Sequence, residues 1–367
     1  MFLENMELER FRNYHTTKIE FSPGVNIFFG RNAQGKTNLL EAIAMFSLGR
    51  SFRAKKDEEL IQWNSETSFI KGVFGSEANP AMIEIGIGRK EKRFKLNGQI
   101  VKRNEIFGQV PVVIFGPDDL QLIKGAPAYR RDFLDLYLAQ IEPKYRFIYY
   151  NYSKVLQQRN RLLKEPHIDQ NELEVWNEQL MEKGAKVIKY RLRLIKDTIP
   201  YITKLQHQIS NESEELIVDY LGFKNQILKD INEANLKDLL KEAVGLLRQT
   251  ELERKVTLVG PHLDDLRISF ESGVELRIFG SQGQQRTASL AMKLGLIEKI
   301  KEMRGEYPVL LLDDVMSEFD DSRKKFLLES LINSVQTFIT ATSRKDFPDF
   351  FPKALFFEIE KGSIANG

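Results

Sequence analysis

The chain has 367 residues, of which 42% are hydrophobic and 29% charged, and its formal net charge is only +2. This length predicts two domains, or one large domain that carries an insertion. The lack of cysteine excludes disulfides and thiolate metal sites, and we expect neither a signal peptide nor a bilayer-spanning segment. We therefore expect a cytoplasmic protein with no membrane partner, in which any nucleic-acid site must depend on local charge.

The first third of the chain is predicted to be mainly β-strand. Pro23-Gly24 and Asn97-Gly98 are turn signals, and Asn-Gly is typical of a tight hairpin. Runs of alternating or continuous apolar residues predict strands at 3–11, 17–21, 25–29, 67–75, 81–88, 89–96 and 110–115.

The segment from Gly30 to Thr37 matches G-x-x-x-x-G-K-[ST], the phosphate-binding P-loop. A predicted strand precedes it and an amphipathic helix follows it, so a chance glycine-rich turn is disfavoured. Lys36 supplies a positive charge for the β- and γ-phosphates, and the Thr37 hydroxyl is a hard oxygen ligand for Mg²⁺. The residues predicted to bind the nucleotide here are Gly30, Arg31, Asn32, Ala33, Gln34, Gly35, Lys36, Thr37 and Asn38.

The middle of the chain changes to a helical pattern rich in Leu, Lys, Glu, Gln and Arg. Helices are predicted at 143–164 and 172–208, and the turn between them implies an antiparallel pair. A short strand at 215–221 and a helix at 235–254 follow.

Basic residues recur every three or four positions along the second of these helices and form one face. Such a stripe could follow DNA phosphates, but a solvated helix face is the commoner meaning of such charge, and both interpretations stay open. Arg50 and Arg53 could face nucleotide or DNA, or could stabilise the end of the P-loop helix. The candidate DNA contacts are Lys183, Lys186, Lys189, Arg193, Lys196 and Arg53, with Lys154, Arg159, Arg161 and Lys164 on the opposing helix.

Strand patterns resume in the last third, at 266–271, 274–279, 308–314, 337–340 and 354–359, with helices at 284–303 and 321–332. The strand at 308–314 ends in two carboxylates, the Walker B pattern. Asp313 would hold Mg²⁺ together with Thr37, and Asp314 could polarise the attacking water. Without the P-loop, a strand that merely ends in Asp-Asp would be the better interpretation.

Ser281 is a good N-cap for the helix that follows it, so the free N–H groups there could form a second anion site. Two phosphate sites so far apart in sequence suggest that two chains share each nucleotide. A glycine- and glutamine-rich turn before a capped helix explains this segment equally well.

Together these motifs resemble the ABC-type ATPase head, and specifically the RecF family of bacterial recombination-repair proteins. The resemblance covers essentially the whole chain. The motifs that carry it are at 8–14, 30–43, 49–53, 116–120, 127–135, 158–160, 260–262, 281–286 and 312–320. It implies an α/β fold, a P-loop ABC-type ATPase head of mixed sheets plus helices, with an inserted, mainly helical second lobe. The expected divisions are 1–116 and 255–367 for the ATPase lobe and 117–254 for the insertion.

The resemblance also implies the roles of residues. The cofactors would be ATP and Mg²⁺, with Lys36 and Asp314 as catalytic residues and Thr37 and Asp313 as metal ligands. Ser281, Gly283 and Gln284 match the signature motif, which contacts the γ-phosphate held by the opposite subunit of a homodimer. Residues 317–320 match the D-loop at the dimer seam.

The resemblance further implies that the chain is a recombination mediator that binds double- and single-stranded DNA at gaps. With RecO and RecR it helps RecA load onto strands coated by single-strand-binding protein, in DNA repair, replication and the SOS response. Gly280 and Gln282 depart from the ABC signature, and 340–343 lack the usual switch histidine, so slow hydrolysis is expected. The resemblance also implies that hydrolysis depends on DNA and that the protein associates with the nucleoid. The alternatives are an SMC-like chromosome-structure ATPase, whose arms are much longer, and an ABC transporter ATPase subunit, whose insertion is shorter.

Overall fold

The structure is a computed structural model that describes residues 1–75, 80–210, 215–315, 326, 335–347 and 354–366. It divides into two compact units, the first made of Met1–Pro117 and Ile300–Gly367 and the second of Asp118–Lys299. The expected D-loop at 317–320 and the helix expected at 321–332, residue 326 apart, lie outside the described residues.

The first unit is built from both ends of the chain. Its N-terminal part contains β1 (Phe2–Phe11), β2 (Tyr14–Glu20), β3 (Val25–Phe29), α1 (Lys36–Leu48), β4 (Thr67–Gly75), β5 (Ala81–Gly88), β6 (Lys92–Leu96), β7 (Gln99–Val101), α2 (Arg103–Ile106) and β8 (Val112–Phe115).

The second unit is mainly helical. It contains α3 (Gln121–Lys124), α4 (Pro127–Ile141), α5 (Pro143–Leu162), α6 (Gln170–Ser210), β9 (Leu216–Leu221), β10 (Ile227–Leu228), α7 (Glu233–Arg254), β11 (Asp265–Phe270), α8 (Leu276–Phe279) and most of α9 (Gln282–Arg304). The chain then returns to the first unit with β12 (Val309–Leu312), β13 (Thr337–Ala341), β14 (Leu355–Glu360) and β15 (Ser363–Asn366).

Two six-stranded sheets form the first unit. One is antiparallel, in the order β2-β1-β4-β5-β6-β7, and the alternating burial along β4 shows that it packs on one face. The other has the order β15-β14-β3-β13-β12-β8 and is parallel except for β15. Parallel strands covered on both faces are continuous apolar runs, as the fully buried Val309–Leu312 shows. The carboxyl ends of β3, β12 and β13 therefore lie at one edge of this sheet.

The predicted hairpin at Asn97-Gly98 is confirmed. Leu96 pairs with Gln99, and both turn residues have the positive φ that a type I′ turn requires, 51° at Asn97 and 81° at Gly98.

In the second unit α5 and α6 pack as the expected antiparallel pair. Arg159 contacts Asn177 near one end, and the rings of Tyr145 and Tyr190 lie 5.6 Å apart near the other. Leu163 and Leu173 are buried where the pair turns. No helix in the described ranges is long and apolar enough to cross a membrane.

Three arginines of the second unit are fully buried, and each is paired with a carboxylate. Arg130 is bound by Asp265, Arg191 by Asp135 and Arg159 by Glu251, with nitrogen–oxygen distances of 2.6, 2.8 and 2.5 Å. The expectation that Arg159 faces DNA is therefore wrong, because its guanidinium is enclosed among Glu251, Asn177 and Thr257.

Two further expectations differ from the structure. The strand expected at 274–279 is wrong: only Glu275 makes a bridge, to Ser269, and the backbone then forms the single helical turn α8. The second unit extends to Lys299 rather than 254, because β11 pairs with β9 and packs against α4.

Candidate functional site

The loop between β3 and α1 has the backbone geometry of a phosphate cradle. Gly30 and Gly35 have φ of 148° and 115°, and a Cβ on Gly30 would lie 2.4 Å from the carbonyl oxygen of Ile359. Neither position accepts a side chain without strain. With the N-terminus of α1 beginning at Lys36, the loop presents backbone N–H groups and the positive end of a helix dipole to an anion.

Lys36 lies over this loop. Its Nζ donates hydrogen bonds to the carbonyl oxygens of Gly30, at 2.6 Å, and Arg31, at 3.1 Å, and its side chain is almost fully buried. Burial lowers the pKa of Lys36, while the negative charges of Asp314 and Asp313 oppose that shift. The ammonium is thus held at the loop and faces two carboxylates.

Asp313 is at the end of β12, beside Thr37 at the start of α1. The Thr37 hydroxyl donates to Asp313 Oδ1 at 2.7 Å, and the Thr340 hydroxyl at the end of β13 donates to the same oxygen at 3.0 Å. Burial raises the pKa of Asp313, and both hydroxyls and the charge of Arg53 counteract part of that increase. A buried carboxylate beside a hydroxyl, both hard oxygen ligands, fits Mg²⁺.

Asp314 has a left-handed backbone, with φ of 52°, and its N–H donates to Thr340 Oγ1 at 2.8 Å. This conformation is unusual for a residue other than glycine. The Thr340 hydroxyl on β13 thus contacts both the carboxylate of Asp313 and the backbone of Asp314.

The P-loop is supported from both ends of the chain. Asn13 Nδ2 donates to the carbonyl oxygen of Gln34 at 2.7 Å, and Asn13 Oδ1 accepts from Asn38 at 2.9 Å. The turn between β14 and β15 supplies two more bonds, from Gly362 N–H to the Gln34 carbonyl at 3.1 Å and from Lys361 N–H to Gln34 Oε1 at 2.8 Å. Gln34 and Asn38, the two ends of the segment that leads into α1, are thereby held in place.

Glu41, in the second turn of α1, is completely buried and accepts a bidentate pair from Arg12, with both distances 2.8 Å. The Ser51 hydroxyl also donates to Glu41, and Ser51 Oγ accepts from the backbone N–H of Arg53 at 2.8 Å. The segment that carries Arg53 is thus fixed to the P-loop helix. The positive charge of Arg53 lowers the pKa of Asp313 slightly, against the larger effect of burial.

Ser281 is the predicted N-cap of α9. Its Oγ accepts from Gln284 N–H at 3.2 Å, and Gln284 Oε1 accepts from Ser281 N–H at 2.9 Å. This reciprocal capping box leaves Ser281 exposed on the second unit, with Gly283 next to it on the first turn.

Four of the five bases in the predicted α6 stripe are paired with acids. The nitrogen–oxygen distances are 2.6 Å for Lys186–Glu182, 3.2 Å for Lys189–Glu233, 3.7 Å for Arg193–Asp197 and 2.6 Å for Lys196–Asp230. These acids balance much of the stripe's positive charge. Its contact with DNA stays a prediction.

Three positioning residues were not predicted: Thr340, Asn13 and Glu41. Each acts through contacts between residues distant in sequence, and none lies in a motif whose spacing indicates its role. Thr340 is the first of the four residues, 340–343, that stand where a switch histidine is usual.

Comparisons with known proteins indicate the same family that the sequence motifs resemble. The family described as RecF/RecN/SMC N terminal domain matches residues 2–353. The chain is similar to the DNA replication and repair protein RecF of Listeria welshimeri, with 40% identity over 99% of each chain.

Two solved structures of the recombination mediator protein RecF in the RecFOR pathway are also similar. One is described with ATPrS and one with ATP; they are 38% and 39% identical, with TM-scores of 0.90 and 0.88. Both comparisons cover 100% of this chain, and 98% and 97% of the solved chains. An Smc head bound to the C-winged helix domain of ScpA shares the fold, with a TM-score of 0.59 at 16% identity over 99% of this chain and 96% of that one.

Proposed function

The chain belongs to the RecF family of DNA replication and repair proteins, and from this premise we propose that it is an ATP-dependent, DNA-binding recombination mediator. The observation that carries the ATP part is the convergence of the P-loop, Thr37 and Asp313 at one sheet edge. The RecF structures described with ATP and ATPrS support it.

ATP would bind with its phosphates on the loop from Gly30 to Thr37. Lys36 would leave its loop carbonyls to pair with the β- and γ-phosphates, and Thr37 and Asp313 would hold Mg²⁺. The metal would supply a positive charge that neutralises the phosphate oxygens. Arg53, on the segment that Ser51 fixes to α1, would add positive charge at the phosphates or contact DNA.

Hydrolysis would proceed by in-line attack of water on the γ-phosphate, with Asp314 accepting a hydrogen bond from that water. Binding orients the phosphates, and Lys36 stabilises the charge that develops on them. We propose that turnover is slow, because 340–343 hold no histidine to orient the water. We propose also that it depends on DNA, in keeping with the proposed DNA-binding function.

A second copy of the chain would complete the site. Ser281, Gly283 and Gln284 of that copy would contact the γ-phosphate through the capped first turn of α9. ATP would then join two heads, and hydrolysis would release them. The exposed position of Ser281 supports this arrangement.

The dimer would act at gapped DNA with RecO and RecR, and would help RecA load onto strands coated by single-strand-binding protein. The RecFOR pathway named for the two solved relatives supports these partners. We propose that the protein is cytoplasmic and associates with the nucleoid.

Two substitutions test this function. Lys36→Ala should abolish ATP binding and ATP-dependent dimerisation together. Asp314→Asn should keep both but slow hydrolysis by about 100-fold, the lower range for general-base loss. Asparagine tolerates the left-handed backbone at 314, so the fold should be unchanged.

Equilibrium ATP binding, sedimentation and phosphate release would be measured for both variants. Normal turnover by Asp314→Asn would remove Asp314 from the reaction. ATP-dependent dimers of Lys36→Ala would contradict the proposed site.

A further inference from the structure

Helix α5 carries a surface that the ATPase function does not use. Its 20 residues include Lys144, Arg146, Lys154, Arg159 and Arg161, and no Asp or Glu. Arg159 is buried, but Lys144, Lys154 and Arg161 are exposed, as is Lys164 just beyond the helix. None of these four has an acidic side chain within 4.0 Å among the described residues. Their combined charge is available to a polyanion.

Two large aromatic side chains lie among these bases. Phe147 is 69% exposed and Tyr150 is 55% exposed, whereas Tyr145 and Tyr152 of the same helix are buried in the unit. Lys154 Nζ lies 4.5 Å from the centre of the Tyr150 ring, a cation–π contact. Exposed rings that lie together on a surface are typical of an interaction site, whereas single exposed apolar residues are common.

The aromatic and basic side chains lie on one face of α5. Positions 147, 150, 154 and 161 are separated by three, four and seven residues, the spacings that repeat on a helix surface. From Phe147 to Arg161 the face extends about 21 Å at the α-helical rise per residue. We call Lys144, Phe147, Tyr150, Lys154, Arg161 and Lys164 the α5 face.

The α6 stripe differs from the α5 face in its ion pairing and in its lack of large apolar side chains exposed within the described ranges. Lys186, Lys189, Arg193 and Lys196 are ion-paired, and none of the large apolar side chains exposed on the described surface lies between them. The α5 face therefore offers more net charge and has rings that can stack, although only the α6 stripe has a regular charge repeat.

We infer that the α5 face is a binding site for single-stranded DNA. Unpaired bases stack on Phe147 and Tyr150, while Lys144, Lys154, Arg161 and Lys164 contact the phosphates. Duplex DNA cannot use the rings in this way, because its bases are already stacked. The inference rests on the proposed DNA-binding function and assigns the single strand of a gap to α5.

Binding of the full chain to a labelled oligothymidylate, and to the same backbone without bases, tests the stacking. The double substitution Phe147→Ala/Tyr150→Ala should weaken oligothymidylate binding by about tenfold per ring, and leave binding of the abasic strand unchanged. Lys154→Gln should weaken the binding of both the oligothymidylate and the abasic strand, and should reduce the salt dependence of binding. Matched controls are Ile100→Ala, an exposed apolar residue of the first unit, and Lys196→Gln on α6; neither should change the base dependence.

The outcomes separate the inference from the proposed function. If the parent chain binds DNA and the aromatic double variant binds oligothymidylate equally well, the rings do not stack on bases and the inference is overturned. If the parent binds no DNA, both fail. ATP-dependent dimerisation of every variant, which should match the parent, checks that each protein is folded.

Discussion

Asp313 shows how single residues prepare the nucleotide site. Two hydroxyl groups, from Thr37 and Thr340, donate to one of its oxygens, and burial still raises its pKa. A nearby cation would reverse that shift, because it favours the charged carboxylate. The arrangement therefore fits a carboxylate that binds a divalent cation better than one held by hydrogen bonds alone.

Arg12→Ala should destabilise the protein through Glu41. The substitution would leave a completely buried carboxylate without its bidentate partner, so the free energy of unfolding should fall by about 3 kcal/mol. Denaturant unfolding measures the loss.

The double variant Arg12→Ala/Glu41→Gln is the matched control for that prediction. It removes the buried charge, so it should unfold at a higher denaturant concentration than Arg12→Ala alone. Equal midpoints would show that the charge of Glu41 is not the cause.

His262 and Asp264 are buried titratable residues with opposite shifts. Burial lowers the pKa of His262 to about 4 and raises that of Asp264 to about 6. Tyr152 lies 2.6 Å from His262 Nδ1, and Tyr220 donates to Asp264 at 2.7 Å. Folded His262 binds fewer protons than the unfolded form, and folded Asp264 binds more.

These shifts predict opposite pH effects of two substitutions. The stability from neutral His262 is lost as pH falls from about 6.5 to about 4, while protonation of Asp264 adds stability below about pH 6. As pH falls, the melting temperature of Asp264→Asn should therefore decrease more than that of the parent. The melting temperature of His262→Gln should decrease less. Melting temperatures measured across this range would contradict the assignment if both variants followed the parent.

The motif residues could be predicted from sequence because their role depends on local spacing. Gly30, Lys36 and Thr37 lie within one turn between a strand and a helix, so neighbouring residues determine their geometry. Thr340 and Glu41 could not be predicted, because their roles arise only when strand order and side-chain burial are known.

At the scale of elements, the β14–β15 hairpin supports the P-loop. Gly362 has φ of 77°, and a Cβ there would lie 2.1 Å from the carbonyl oxygen of Asn13. The close approach brings the N–H groups of Lys361 and Gly362 within hydrogen-bond distance of Gln34. Strand β15 was not predicted, because its apolar residues are too few to form a periodic signal.

Gly362→Ala should weaken ATP binding as well as stability. The added methyl group would move the turn away from Asn13 and Gln34, at a cost of about 1–3 kcal/mol in unfolding free energy. Gly98→Ala is the control: its φ is also positive, at 81°, but nothing lies within 4 Å of the added atom.

Gly98→Ala should lose some stability but keep the ATP affinity of the parent. Isothermal titration and denaturant unfolding of both variants would separate the two effects. Equal ATP affinity in Gly362→Ala and the parent would exclude a supporting role for the hairpin.

Most elements were predictable because their periodicity is strong. The α5–α6 pair and β3, β4, β5, β12 and β13 were found close to their observed bounds. The segment 274–279 was not, because its alternation of apolar and charged residues is typical of a strand although the chain forms a helical turn there. Ile278 and Phe279 are 64% and 74% exposed in α8, so no sheet covers them.

At the scale of the whole chain, the return of the C-terminal segment from Ile300 onward to the first unit was predictable in outline. The P-loop and Walker B strand must meet, although residues 118–299 separate them. The end of the insertion was harder to locate, because β11 pairs with β9 and a pairing partner cannot be identified from one strand's own residues.

We propose above all that ATP joins two copies of this chain on DNA. Sedimentation of the full chain with Mg²⁺ and ATP, with and without gapped duplex DNA, at several salt concentrations tests it most directly. We predict monomers without ATP, dimers with ATP, and salt-sensitive DNA binding that favours the dimer. Monomers under every condition, with no affinity for DNA, would contradict the account.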